Sequence, residues 1–249
     1  MSEQIQVLAG PHSVKTAEDF LRMPQEYQEL ATRLMLVHTE GEMTGADDYV
    51  QIFYPLAPDA YEKMICCERA AEEVQHYMLG AKVLAEIGID TADMVHQKIL
   101  DRNYYPNELV RGVETWMERG IFSYLGESVV LDHLQEFAES SYLPFAQIFL
   151  DQIIKDEHVH VAHGYCIVRD ACRTEEGRVE AQKALDRFWP AVLDLFGRSD
   201  SPRSRAYVKW GLRKTLNHEL REAFIARMKP KLEALGLQTP DDMLNRKFI

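Results

Sequence analysis

The sequence predicts an all-α protein, a four-helix bundle with additional C-terminal helices. Apolar residues recur with the helical period over most of the chain, whereas the strict alternation of a half-buried β-strand is almost absent. Glycine and proline cluster between the long periodic stretches, where they mark turns. No segment of low complexity separates these stretches, so we expect residues 1–249 to form a single domain.

Four long core helices are expected within residues 24–173, and two accessory helices within residues 175–235. The core helices are placed at about 24–46, 59–87, 109–140 and 144–173, and the accessory helices at about 175–195 and 203–235. A short helix is expected after Thr91, and a loop at 101–106. Pro230 is expected to kink or break the last helix. Residues 1–15 and the tail beyond Thr239 are expected to be irregular.

Composition and charge exclude several classes of protein. The formal net charge of −12 argues against nucleic-acid binding, which needs a basic face. No apolar run reaches the roughly 18 residues that a membrane span requires. The first ten residues lack the basic and apolar regions of a secretory leader, so we expect a cytoplasmic protein.

Two Glu-x-x-His pairs, Glu73–His76 and Glu157–His160, carry the strongest chemical signal. A spacing of three residues puts both side chains on one face of a helix, one turn apart. In each pair the carboxylate and the imidazole continue an apolar stripe, where the pattern calls for core residues. Because a buried carboxylate is costly without a cation or a proton, both pairs indicate buried metal ligands.

A metal site of this type needs one further glutamate from each of two other helices, and Glu42 and Glu127 are the candidates. Thirty-one residues separate Glu42 from Glu73, and 30 separate Glu127 from Glu157. Each half therefore reads as a helical hairpin whose two glutamates lie at the same height. Two such hairpins packed face to face would bring six ligands around one point.

The predicted donor set is four carboxylates and two imidazoles, which suits iron or manganese. A metal-bound histidine usually donates its second ring N–H to an acceptor such as a carboxylate. We expect Glu72 to support His160 and Asp156 to support His76, each across the bundle. The alternative is that these two acids are solvated surface groups. This donor set on four helices is typical of ferritin-like di-iron and di-manganese proteins.

The chain resembles the phenylacetic acid catabolic family over about residues 20–236. The resemblance is carried by the metal-site segments 42–45 (EMTG), 71–76 (AEEVQH) and 155–160 (KDEHVH), and by 187–190 (RFWP), 195–197 (LFG) and 217–221 (NHELR). By position, the iron ligands that the resemblance implies are Glu42, Glu73, His76, Glu127, Glu157 and His160. The family's catalytic subunit carries aspartate where this chain has Glu127.

The resemblance implies a subunit of a multicomponent oxygenase. It would bind two iron ions, with manganese or a mixed pair as the alternative, and activate dioxygen to epoxidise or hydroxylate an aromatic or acyl substrate such as a CoA thioester. The implied partners are a reductase and a second ferritin-like subunit, or further copies of this chain. Two alternatives stay open: a di-iron oxidase resembling aldehyde deformylases, and an iron-binding or peroxide-scavenging protein.

Overall fold

The computed structural model describes residues 5–97 and 111–240, and within them the chain is all-α, as the sequence predicts. The described part contains no β-strand; a single isolated parallel bridge joins Val14 to Tyr142. The expected loop at 101–106 and the tail from 241 onward lie outside the described residues.

Nine helices form the described part of the molecule, and three of them contain a π-helical turn. In chain order they are α1 (Ala17–Arg22), α2 (Gln25–Asp48, continuing through the π-turn Tyr49–Phe53 to Tyr54–Leu56), α3 (Ala60–Glu86), α4 (Ala92–His96), α5 (Trp116–Ile121, π-turn Phe122–Gly126, Glu127–Phe137), α6 (Leu143–Ile148, π-turn Phe149–Ile153, Ile154–Ala171), α7 (Glu175–Asp194), α8 (Pro202–Lys209) and α9 (Asn217–Ala234). Helices α2, α3, α5 and α6 form the bundle as two hairpins. Helices α7 to α9 are the expected accessory helices. None of the described helices is both long and apolar enough to cross a membrane.

The bundle buries two apolar clusters, one towards each end. Along α2, Met35 belongs to one cluster and Tyr49 to the other, and Glu42 lies between them. The same order holds on α6, where Glu157 lies between Ile153 and Val168. The predicted ligands therefore occupy a polar layer between two apolar ones, where an unpaired charge would be costly.

Helix α2 extends about ten residues further than expected. The sequence-based end near residue 46 is wrong because the chain continues through the π-turn Tyr49–Phe53 into the helical turn Tyr54–Leu56. Pro55 was expected in a loop but lies in the first turn of that last segment. A proline is tolerated there, since the missing N–H would have no helical partner.

Helix α5 begins at Trp116, so the expected start near residue 109 is wrong. A capping box fixes the true start: Thr115 Oγ1 accepts a hydrogen bond from the Glu118 backbone N–H, and the Glu118 carboxylate accepts one from the Thr115 N–H. The Thr-x-x-Glu pattern is present in the sequence and would have placed this start correctly.

The last predicted helix, 203–235, is two helices rather than one. Gly211 has a positive φ of 64°, and the carbonyl oxygen of Ala9 lies 1.9 Å from the position that a Cβ on Gly211 would take. Only glycine tolerates both constraints, so the chain turns here against its own N-terminal segment. Pro230 does not break α9, which runs from Asn217 to Ala234.

Candidate metal centre

Four of the predicted ligands form a compact buried group. One donor atom from each of Glu42, Glu73, His76 and Glu157 lies within 4.8 Å of all the others. Helix α2 supplies Glu42, α3 supplies Glu73 and His76 one turn apart, and α6 supplies Glu157. His76 is fully buried, and none of the four side chains is more than 9% exposed. The hairpin geometry expected from the sequence thus brings these donors together.

Glu73 and Glu157 each reach both histidines. Their carboxylate oxygens lie 3.6 and 3.7 Å from Nδ1 of His76. Their other oxygens lie 3.4 and 3.5 Å from Nδ1 of His160. The two imidazoles therefore point the same ring nitrogen at a shared pair of carboxylates, which is the arrangement that two bridged cations require.

The second ring nitrogen of each histidine meets a carboxylate from the opposite hairpin. His76 Nε2 lies 3.0 Å from Asp156 Oδ2, and His160 Nε2 lies 2.8 Å from Glu72 Oε2. These are the two cross-bundle contacts expected from the sequence. Glu72 also pairs with Arg69 one turn earlier on α3. With the outer nitrogen engaged, Nδ1 of each histidine is free to bind a cation.

Glu127 is buried and lines the same cavity, but its carboxylate turns away from the compact group of four. Its Oε1 accepts hydrogen bonds from the Tyr49 hydroxyl at 2.9 Å and the Ser123 hydroxyl at 3.2 Å. Its Oε2 is buried without a hydrogen-bond partner among the described residues, as is Nδ1 of His160. Buried polar atoms are nearly always satisfied, so these two orphaned atoms indicate a missing ligand between them.

Burial dominates the protonation of the centre. It raises the pKa of Glu73 and of Glu127 to about 7. Burial alone would lower the pKa of His76, but the carboxylates of Glu42 and Glu73 outweigh it and raise that pKa to about 12. Protons therefore offset the clustered negative charge in the metal-free protein. Divalent cations can replace those protons, so the donor set fits a metal centre.

Several residues of the centre were not singled out by sequence reasoning, although their positions follow the ligand stripes. Tyr49 lies seven residues after Glu42, and Ser123 four residues before Glu127. Arg69 precedes Glu73 by four residues and shares its face. His38, one turn before Glu42, also joins the centre. Its Nδ1 lies 3.1 Å from Glu42 Oε1, and burial lowers its pKa to about 3, which keeps the ring neutral.

A cavity of about 80 Å³ adjoins the carboxylates. Glu42, Glu73, Glu127 and Glu157 lie at one end of its lining, and Phe53, Phe122, Val130 and Leu195 provide apolar walls. The centre thus combines a polar donor layer with an adjoining apolar space, as small-molecule sites commonly do.

Comparison with known proteins agrees with this geometry. The family model described as "Phenylacetic acid catabolic protein" matches residues 4–247. One component of the 1,2-phenylacetyl-CoA epoxidase from Escherichia coli (strain K12) is 27% identical over 231 residues, which cover 90% of this chain and 72% of that protein. The family has the ferritin-like all-α fold. With its two hairpins and buried carboxylate–histidine centre, the chain belongs to the phenylacetic acid catabolic protein family.

Proposed function

We propose that the chain is the catalytic subunit of a di-iron oxygenase that inserts one oxygen atom of dioxygen into an aromatic or acyl substrate. Two iron ions would be held by Glu42, Glu73, His76, Glu127, Glu157 and His160. Manganese or a mixed pair is the alternative metal content, since the same oxygen and nitrogen donors suit both metals.

One observation carries the proposal: Glu73 and Glu157 each place one oxygen near His76 and the other near His160. A site for a single cation needs no such doubling. Four carboxylates and two imidazoles from four bundle helices are the donor set of ferritin-like di-metal carboxylate proteins. When bound, the metal pair would supply the redox chemistry that activates dioxygen.

The residues of the chain would hold, orient and shield this centre. Asp156 and Glu72 accept the Nε2–H of the two histidines and so fix the tautomer that leaves Nδ1 for the metal. Tyr49 keeps its proton, because burial raises its pKa well above the usual value, and its hydroxyl anchors Glu127. The apolar walls of the cavity exclude water from the reacting oxygen.

The proposed substrate is a CoA thioester, and the proposed partners are a reductase and a second ferritin-like subunit or a second copy of this chain. Inserting one oxygen atom and reducing the other to water consumes two electrons and two protons besides the substrate. The relative from Escherichia coli supports both points, since it is named as one subunit of a phenylacetyl-CoA epoxidase.

The test is single-turnover oxygenation with isotopically labelled dioxygen. Iron-loaded protein is reduced chemically, mixed with an acyl-CoA panel and ¹⁸O₂, and the products are analysed by mass spectrometry. We expect one labelled oxygen atom in the product. Glu73→Ala should abolish product and bound iron while keeping the helical circular dichroism. Glu68→Ala removes an exposed glutamate from the same helix and serves as the matched control.

Other outcomes would replace the proposal. Release of a shortened carbon chain would indicate an oxidase of the deformylase type. Rapid consumption of hydrogen peroxide without any organic product would indicate scavenging. Full oxygenation by Glu73→Ala would remove the centre from the reaction altogether.

A further inference from the structure

The cavity beside the metal centre is narrow, and one aromatic side chain sets its width. Phe122 lies in the π-turn that leads into Glu127, and its ring is 5.9 Å from that of Phe53, which lies in the π-turn of α2. Both rings line the cavity. Phe53 is 1% exposed and thus fixed by packing, whereas Phe122, Val130 and Leu195 are only partly buried. The outer side of the cavity is therefore apolar and borders solvent near Phe122.

Gly126 allows the Phe122 ring to lie back from the cavity. A Cβ added at Gly126 would come within 3.1 and 3.2 Å of Cε2 and Cδ2 of that ring. A methyl group there would have to push the ring by a few tenths of an ångström, because carbon atoms in contact are ordinarily about 3.5–4.0 Å apart. The position of the ring, and with it the free width of the cavity, depends on this glycine.

The volume of the cavity limits what can enter it. It measures about 80 Å³, whereas an engineered protein cavity that binds benzene measures roughly 150 Å³. A phenyl ring thus fits only after the Phe122 ring has moved, and an unbranched acyl chain fits without that movement. The four apolar wall residues, Phe53, Phe122, Val130 and Leu195, favour an uncharged group.

We propose that Phe122, held back against Gly126, is a specificity-determining residue, and that the cavity admits a slim unsaturated acyl chain in preference to a phenyl ring. This inference rests on the proposed function, because the carbon–carbon double bond is the group that the oxygenase would attack. It names the substrate class within the wider range of aromatic and acyl compounds.

The test measures binding, independently of turnover. But-2-enoyl-CoA and phenylacetyl-CoA share one head group, so the ratio of their dissociation constants reports the acyl group alone. Isothermal titration calorimetry on the iron-loaded protein should give about tenfold or tighter binding of but-2-enoyl-CoA, a discrimination typical of small differences in pocket size. Phe122→Ala should bring the ratio to about one or reverse it.

Three further variants complete the design. Gly126→Ala should weaken phenylacetyl-CoA by about another threefold or more, since overpacking is unfavourable. The double variant carrying Phe122→Ala and Gly126→Ala should behave like Phe122→Ala alone, because the methyl group then has no ring to push. Leu150→Ala shortens an exposed apolar side chain in the π-turn of α6, outside the cavity, and should change nothing.

Tighter binding of phenylacetyl-CoA by the wild-type protein, or an unchanged ratio in Phe122→Ala, would overturn the inference. So would the failure of both thioesters to bind to protein that holds two iron ions. That last result would leave the proposed metal centre standing, whereas protein that binds no iron would contradict the proposed function itself.

Discussion

The two halves of the metal centre share one plan but are built to different degrees of completion. Around His76, all donors are in place: Nδ1 lies 3.2 Å from Glu42 and within 3.7 Å of both shared glutamates. Around His160, the shared glutamates are equally near, but Glu127 is turned towards Tyr49 and Ser123. The second half is therefore closed by two hydroxyl groups where the first is closed by a carboxylate–histidine contact.

The supporting residues differ in the opposite sense. Asp156 supports His76, and its side chain is 25% exposed. Glu72 supports His160 and is clamped by Arg69, whose guanidinium and whose hydrogen bond, together with the hydrogen bond from His160, lower the pKa of Glu72 to about 2 against the effect of burial. The comparison teaches that the His76 half is ready to bind a cation, whereas the His160 half has a firmly held imidazole and a glutamate that has to turn.

The sharpest way to break this comparison is to remove the unique glutamate from each half in turn. Glu42→Gln should weaken the tighter of two metal ions by more than about 100-fold, because a lost ligand costs more than a lost supporting residue. Glu127→Gln should leave the tighter ion in place and remove the weaker one. Equilibrium titration of metal-free protein with iron(II) under nitrogen measures both, and equal losses in the two variants would show that the halves are equivalent.

The supporting carboxylates come next in expected effect. Asp156→Asn and Glu72→Gln should each lower metal affinity by about 10–100-fold. Glu72→Gln should also lower the melting temperature more than Asp156→Asn does, because it leaves the largely buried Arg69 without its carboxylate. Thermal melts followed by circular dichroism compare the two variants, and equal melting temperatures would contradict the role given to Arg69.

A pH effect should separate the metal-free protein from the loaded one. The pKa values of Glu73 and Glu127 are raised by burial to about 7, above the value of 4.5 that applies to the unfolded chain. The folded state then binds more protons than the unfolded state, so metal-free stability should fall as the pH rises from about 4.5 through 7. The loaded protein should lack this decline, since cations replace the protons; parallel melting curves from pH 5 to pH 8 would contradict the charge balance.

The smallest expected effect concerns two buried arginines near the centre. Arg69 pairs with Glu72, whereas the fully buried guanidinium of Arg119 has no hydrogen-bond acceptor among the described residues and lies 5.0 Å from the Trp116 ring. Arg119→Met should therefore raise the free energy of unfolding by about 1 kcal/mol, because it removes a costly buried charge. Arg69→Met should lower it. Urea denaturation measures both, and destabilisation by Arg119→Met would contradict the absence of a stabilising partner for Arg119.

Much of the centre could be predicted from the sequence because its residues lie on long, regular stretches of helix. Spacings of three and about thirty residues decided where Glu73, His76, Glu157 and His160 would meet, and helical geometry translates such spacings directly into positions. The cross-bundle partners Asp156 and Glu72 follow from the same register. The assignment of these residues as metal ligands stays a prediction.

The rest depended on local features that a regular period does not describe. Tyr49 was missed because α2 was expected to end near residue 46, whereas a π-turn carries the chain onward. The orientation of Glu127 follows from another π-turn directly before it and from the two hydroxyl groups that hold it. Such turns recur at functional sites, and no spacing in the sequence marks them.

The most direct test of the two-metal account is a crystal structure of the iron-loaded protein, with anomalous scattering recorded above and below the iron absorption edge. The account predicts two iron peaks, one bonded to Nδ1 of His76 and the other to Nδ1 of His160, with Glu73 and Glu157 in contact with both. A single peak, or iron bound away from these two imidazoles, would contradict it.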